Sequence, residues 1–174
     1  MAVVNLFSSQ LTNAYATPVV LSNPYQAGAG DIIETGVIAS GATDSAGSIY
    51  RYFRLPSGAR VQDIQLMNET ANTSGTSYKC GVYLPAVGGG AVPVTNADQI
   101  FFSAVSMVTT RSVWTSVYFP SILNAGGLAA NTGLRVWELL GLTADPFVIY
   151  DVGIAAVTPG TVGTNMALQI SYVK

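Results

Sequence analysis

The sequence predicts an all-β protein, a β-sandwich of jelly-roll or Greek-key type with one or two short helices. Three observations predict it. Apolar and polar residues alternate over several short stretches, Gly, Pro and Asn clusters punctuate them, and long helical stripes are absent. Seven or more such strands with few helices point to two packed antiparallel sheets.

The first thirty residues carry no charged side chain and read as an extended N-terminal arm, residues 1–30, ahead of a sandwich domain, 31–174. Pro18 and Pro24 interrupt the apolar run Val19-Val20-Leu21, and Gln26-Ala-Gly-Ala-Gly-Asp31 resembles a flexible join. An uncharged arm holding Leu6, Phe7, Leu11, Tyr15, Val19, Val20 and Tyr25 should not float in water. It either packs on its own domain or reaches onto a neighbouring subunit, and its lack of solvating charge favours the neighbour.

Beyond the arm, residues 32–39 and 48–55 are strand candidates. In 61–68, Ile64 and Leu66 fall on the inward side, opposite Asp63 and Gln65. In 77–84, Tyr78, Cys80, Val82 and Leu84 share one face. Residues 112–119 and 147–157 follow, and the last strand opposes Met166, Leu168, Ile170 and Tyr172 to Ala167, Gln169 and Ser171. Turn chemistry separates them at Pro56-Ser-Gly-Ala, Gly88-Gly-Gly, Asn124-Ala-Gly-Gly, Asp145-Pro and Thr158-Pro-Gly. Two short helices are expected. One spans 96–105, with Asn96 as N-cap, and one spans 134–142, with Trp137 and Leu140 on a stripe.

Charge is scarce: sixteen Lys, Arg, Asp and Glu in 174 residues, or 9%. An ordinary soluble domain carries roughly 25%. Spread over the ~8,000 Å² of a folded monomer of this mass, so few charges imply that other protein covers much of the surface. They are also unevenly placed. Windows 80–97, 112–134 and 152–173 carry none, while eight of the sixteen lie between Asp31 and Glu69.

The same composition excludes several functions. A net charge of −2 gives no general attraction for nucleic acid or anionic lipid. No window offers the ~18 clean apolar residues of a membrane span, since Asp145, Pro146 and Asp151 break the best one. No basic stretch precedes the apolar N-terminal residues, so a secretory signal is not expected, and the two glycosylation sequons at Asn68 and Asn72 read as chance. Zero histidines and the single Cys80 leave no His-based triad, His/Cys zinc site or internal disulfide. No cofactor is expected. Cys80, on the apolar side of its strand, is a core thiol, and Gly88-Gly-Gly lacks the Lys and helix of a phosphate loop.

Hydrolysis would then need a carboxylate pair. Asp151 draws attention because it interrupts an apolar strand, and a buried carboxylate there requires a partner such as Arg135. A structural ion pair is the stronger reading than a catalytic acid, and the protein is read as a non-enzyme. Arg51, Arg54 and Arg60 form the only basic concentration. Their odd offset puts Arg51 and Arg54 on opposite sheet faces, which favours salt bridges to an acidic protein surface over a phosphate site. Nine tyrosines, with Tyr15, Tyr25, Tyr50 and Tyr52 grouped early, suit a protein interface or, second, an aromatic carbohydrate site.

Three segments carry a family resemblance: Met1-Ala-Val-Val-Asn-Leu-Phe-Ser-Ser-Gln-Leu-Thr-Asn-Ala, Tyr50-Arg-Tyr-Phe-Arg-Leu-Pro-Ser-Gly-Ala-Arg-Val and Trp137-Glu-Leu-Leu-Gly-Leu-Thr-Ala-Asp-Pro. Together they resemble the capsid decoration (cement) proteins of tailed bacteriophages. The resemblance implies a β-sandwich or jelly-roll body, assembled in the host cytoplasm and bound to the outside of the phage head. Its implied partners are the major capsid protein and other copies of itself, as a dimer or more readily a trimer, with neither nucleic acid nor membrane. It brings no active-site residues. Another virion part (neck, head-completion or tail-associated) and a surface carbohydrate-binding module are the alternatives.

Overall fold

Alternation of buried and exposed side chains, clearest in the second and last of the strands, underlies the two sheets. The structure, a computed structural model, describes residues 3–16, 30–72, 77–85, 92–106, 109–118, 133–158, 160 and 162–174. Nine strands lie among them: β1 (Asn5–Phe7), β2 (Ile32–Ala39), β3 (Ile49–Pro56), β4 (Arg60–Asn68), β5 (Ser77–Tyr83), β6 (Phe102–Ser106), β7 (Arg111–Ser116), β8 (Ile149–Thr158) and β9 (Asn165–Val173). One sheet has the order β1-β3-β8-β5-β6, the other β2-β9-β4-β7, and the fold is an all-β sandwich as the alternation requires. Chain connections repeatedly pass from one sheet to the other. The core between them is made by Tyr52, Leu55, Val82, Val152 and Ile154 against Ile64, Leu66, Met166, Leu168 and Ile170. Tyr52 spans the gap, its hydroxyl donating to the Met166 carbonyl at 3.3 Å.

The seven expected strands appear, each within two or three residues of its expected ends. Two further strands, β1 and β6, are added. The expected 96–105 helix is not there. A 3-10 turn at Ala97–Gln99 leads straight into β6. Asn96 sits in the left-handed region at φ 63° and makes no cap hydrogen bond. Burial overrides the capping signal: Phe101 and Phe102 are 0% and 1% exposed, and Phe102 pairs with Cys80 of β5. The turn rests directly on β5, where Gly81 leaves room for the Ala97 carbonyl. The second expected helix is realised as one turn, α2 (Val136–Leu139), whose first-turn Glu138 accepts from the Arg135 backbone N–H.

The beginning of the expected arm is folded structure. Asn5–Phe7 pairs parallel with Ile49–Arg51, and a helix, α1 (Ser9–Tyr15), follows. Ser8 is its N-cap, accepting from the Leu11 N–H. Leu11 is 1% exposed, so this segment packs on its own domain. Residues 17–29, with Val19, Val20 and Tyr25, lie outside the described residues.

Candidate interaction surface

One irregularity in β3 organises the outer side of the five-stranded sheet. Its pairing with β8 shifts between Arg51 and Phe53, a β-bulge that places two residues opposite one. The bulge resets the alternation, so Arg51 and Arg54 emerge on the same face. This corrects the odd-offset expectation. It also leaves the Tyr52 carbonyl outside the ladder register, and the Ser8 hydroxyl donates to it at 2.5 Å while the Ser8 N–H donates to the Arg51 carbonyl at 2.8 Å. The N-terminal segment is thus anchored on the bulge.

Beneath it sits an ion pair. Arg51 Nη1 lies 3.0 Å from Asp151 Oδ2, with both side chains fully buried. The partner of Asp151 is therefore Arg51 of the adjacent strand, while Arg135 stands at the start of α2. The same Arg51 nitrogen donates to the Leu84 carbonyl, and the guanidinium lies against the rings of Phe7 and Tyr83. The Tyr15 hydroxyl donates to both Asp151 oxygens, at 2.9 and 2.7 Å. Burial pushes the Asp151 carboxyl above its ordinary range, and the Tyr15 and Arg51 hydrogen bonds oppose that shift. Burial raises the Tyr15 phenol too.

Arg54 completes the cluster from above, its guanidinium carbon 4.1 Å from the centre of the Tyr15 ring. Among the described residues it forms no ion pair within 4 Å of a carboxylate. Its Nε is buried without a hydrogen-bond partner. Two arginines against one aspartate leave the cluster one positive charge in surplus.

The expected contact residues therefore divide. Leu11 belongs to the interior, Leu6 is half-buried against the core, and Arg51 is spent on an internal pair. Phe7 meets Tyr15 edge-on at 5.9 Å. Tyr15 and Arg54 stay partly accessible and line a groove, while Arg60 is exposed at the start of β4. Three surface features had no strong sequence signal.

The first is the groove, about 750 Å³, between the end of α1, the end of β5, the Val92–Val94 stretch and the residues entering β8. Apart from Tyr15 and Arg54 its walls are mostly apolar. The second is Phe147 at its lip, 90% exposed, with φ 52° in the left-handed region that bulky residues avoid. Asp145 Oδ1 accepts from the Phe147 N–H, the Ser57 hydroxyl donates to the same oxygen and accepts from the Val148 N–H, and the Ser57 N–H donates to the Val148 carbonyl. The turn is held rigidly with its ring outward.

The third feature is the outer face of the four-stranded sheet. Register places Ile33, Thr35 and Val37 beside Ser171, Gln169 and Ala167, and these beside Asp63, Gln65 and Met67. Asp63 is the only charge among these nine. Most of the polar groups bond to one another: Gln169 Nε2 donates to Thr35 Oγ1 at 3.0 Å, and Gln65 and Ser116 donate to Asp63. Ile33 and Val37 are 55% and 56% exposed. Such a face loses little solvation when covered.

Among the described residues no group of three or more His, Cys, Asp and Glu could hold a metal ion, and no helix is long and apolar enough to cross a membrane. No family model matches the sequence, and no curated protein sequence matches it. Solved structures do match the fold. A chain of the "Cyanophage Pam1 capsid asymmetric unit" aligns with TM-score 0.51 at 14% identity, over 91% of this chain and 95% of that one. The fold recurs over 98% of both chains, with TM-score 0.61 and 16% identity, in the structure titled "Capsid of Ralstonia phage GP4".

Proposed function

We propose that this chain is a non-enzymatic structural protein of a phage virion, a decoration protein that binds the outside of the head and stabilises its lattice. The observation that carries the reading is the whole-length sharing of fold with a chain of a phage capsid structure, 98% of each. A similarity covering both chains end to end concerns the entire architecture rather than one common motif. The charge distribution supports the same reading. A sheet face with one charge in nine residues and most of its polar groups bonded to one another suits permanent coverage by other protein. The partners are the major capsid protein and sister copies, a trimer more readily than a dimer. Repetition over a shell makes individually modest contacts sufficient.

The test is the location and copy number of the chain in purified virions. Cryo-electron microscopy should place it on the outer capsid surface, and quantitative mass spectrometry should count it in hundreds per particle. A copy number of a dozen or fewer would assign it to the neck or tail instead. Density only on the inner wall would refute exterior decoration.

A further inference from the structure

The groove beside Phe147 is a site of defined chemistry. Its walls come from Leu84, Val92, Val94, Leu142, Val148 and Ile149, and the one charge on them among the described residues is Arg54. The Arg51–Asp151 pair is already neutral, so the Arg54 charge is surplus, and its buried Nε meets no acceptor among the described residues. A cation on an apolar wall, with a donor already withdrawn from water, is complementary to a carboxylate carried among apolar groups. Phe147 adds a second demand. Its ring stands at the lip, 90% exposed, on a hydrogen-bonded turn. A small carboxylate in the groove would leave that ring in water, whereas a length of polypeptide would cover both.

A second copy of this chain is a poor occupant. Each of its nine Asp and Glu side chains already accepts a hydrogen bond or pairs with a cation in its own fold: Asp31 with Gln62, Glu34 with Tyr172, Asp44 with Tyr50, Asp63 with Ser116, Glu69 with Asn165, Asp98 with Lys79, Glu138 with the Arg135 N–H, Asp145 with Ser57 and Asp151 with Arg51.

We infer that this groove docks a segment of a different protein, in which one Asp or Glu flanked by apolar residues meets Arg54 while a neighbouring side chain packs on Phe147. The inference deepens the proposed function, because it rests on the chain being covered by another protein in an assembly, and it names the chemistry of that partner at one contact.

The test uses the isotope-labelled full chain and two capped peptides as probes, acetyl-Leu-Leu-Asp-Leu-Val-amide and its Asn counterpart. The Asp peptide should shift the methyl resonances of Leu84, Val94, Val148 and Ile149 and the Arg54 Nε–H. It should bind about tenfold more tightly than the Asn peptide at low salt, the ratio expected of a charge-assisted hydrogen bond. Arg54→Met, which keeps the stem that packs, should bring the two peptides to equal affinity, and Arg54→Lys, which keeps the charge but not the buried Nε–H, should keep only part of the preference. Should the methionine variant fail to fold, the lysine variant and the Asp/Asn ratio of the natural chain still decide. Shifts confined to other surfaces, or equal affinities in the natural chain, would overturn the inference. Virion location is a separate measurement, so failure of the peptide test leaves the decoration reading standing. A chain absent from virions would leave the peptide result readable on its own.

Discussion

Arg51 and Asp151, from adjacent strands of one sheet, form an ion pair with no exposed side-chain surface. Such a pair contributes little over an apolar replacement, yet losing one partner strands a buried charge. Asp151→Ala should destabilise the chain by about 3–5 kcal/mol in urea unfolding. Arg51→Met combined with Asp151→Leu should recover most of that loss. A double variant as weak as the single would assign the cost to packing instead.

Ser8 serves two structures at once, capping α1 and satisfying the Tyr52 carbonyl at the bulge. Ser8→Ala removes both bonds. We expect a loss of about 1–3 kcal/mol. Amide exchange should accelerate first at Leu11 and Thr12, whose N–H groups meet the Ser8 side chain and carbonyl. Exchange in β9 should follow only the global change in stability.

The parts of the fold that were legible are those where one face of a strand is buried and the other is not. β2 and β9 keep that alternation along most of their length, and β4 keeps it from Asp63 onward, past a register shift after Val61. β5 keeps it only in its first half, because the 3-10 turn covers Gly81 and Tyr83 packs against Arg51 and Gly153. β1 is three residues long and β6 begins inside an apparent helix, so neither offered a period to read. In α1 only Leu11 is buried among the residues whose side chains are described, and the remaining signal was Ser8 as a cap. The Arg51–Arg54–Tyr15 cluster was illegible for a different reason. A bulge inserts one residue, and one residue exchanges the two faces of a strand. Asp151 was recognisable as a carboxylate needing an arginine, but which arginine depends on that insertion.

Gly81 marks the place where the chain passes closest to itself. A Cβ there would overlap the Ala97 carbonyl oxygen and the Asp98 backbone. Gly81→Ala should cost at least ~3 kcal/mol, since backbone on both sides must shift. Gly141, at φ 71° with nothing within 4 Å, is the control. Its alanine variant should cost only the left-handed strain, about 1–2 kcal/mol. Thermal unfolding of the pair separates crowding from conformation.

The pH dependence follows from burial. The phenols of Tyr15, Tyr50, Tyr52, Tyr78, Tyr83, Tyr150 and Tyr172 are all raised chiefly by desolvation, and Tyr118 is pushed up to about 12. A raised phenol holds its proton in the folded chain, so this stability is complete below the unfolded value of ~10 and is lost as pH rises beyond it. Absorbance at ~295 nm should show tyrosinate appearing together with unfolding rather than before it. At the acid end, burial raises the carboxyls of Glu34 and Asp151. The folded chain therefore binds those protons more tightly than the unfolded one. Acidification through the raised range towards ~4 should add stability from these two groups. With no histidine, the interval between should be nearly flat.

Phe147 separates stability from contact. Its ring is 90% exposed and lends the isolated chain little packing, while its φ of 52° suits Asn far better than Phe. Phe147→Asn should leave the isolated chain unchanged or stabilise it by about 0.5–1 kcal/mol, because the backbone strain is relieved and the Asp145 bond to the main-chain N–H remains. If the ring is covered in the virion, the same change removes a buried aromatic contact worth ~1.5–3 kcal/mol per copy. Virions carrying it should then bind the chain less fully and lose heat resistance although the chain itself is no less stable. Full occupancy with undiminished heat resistance would place Phe147 outside the contact. A chain markedly destabilised in isolation would mean that the ring packs within its own fold.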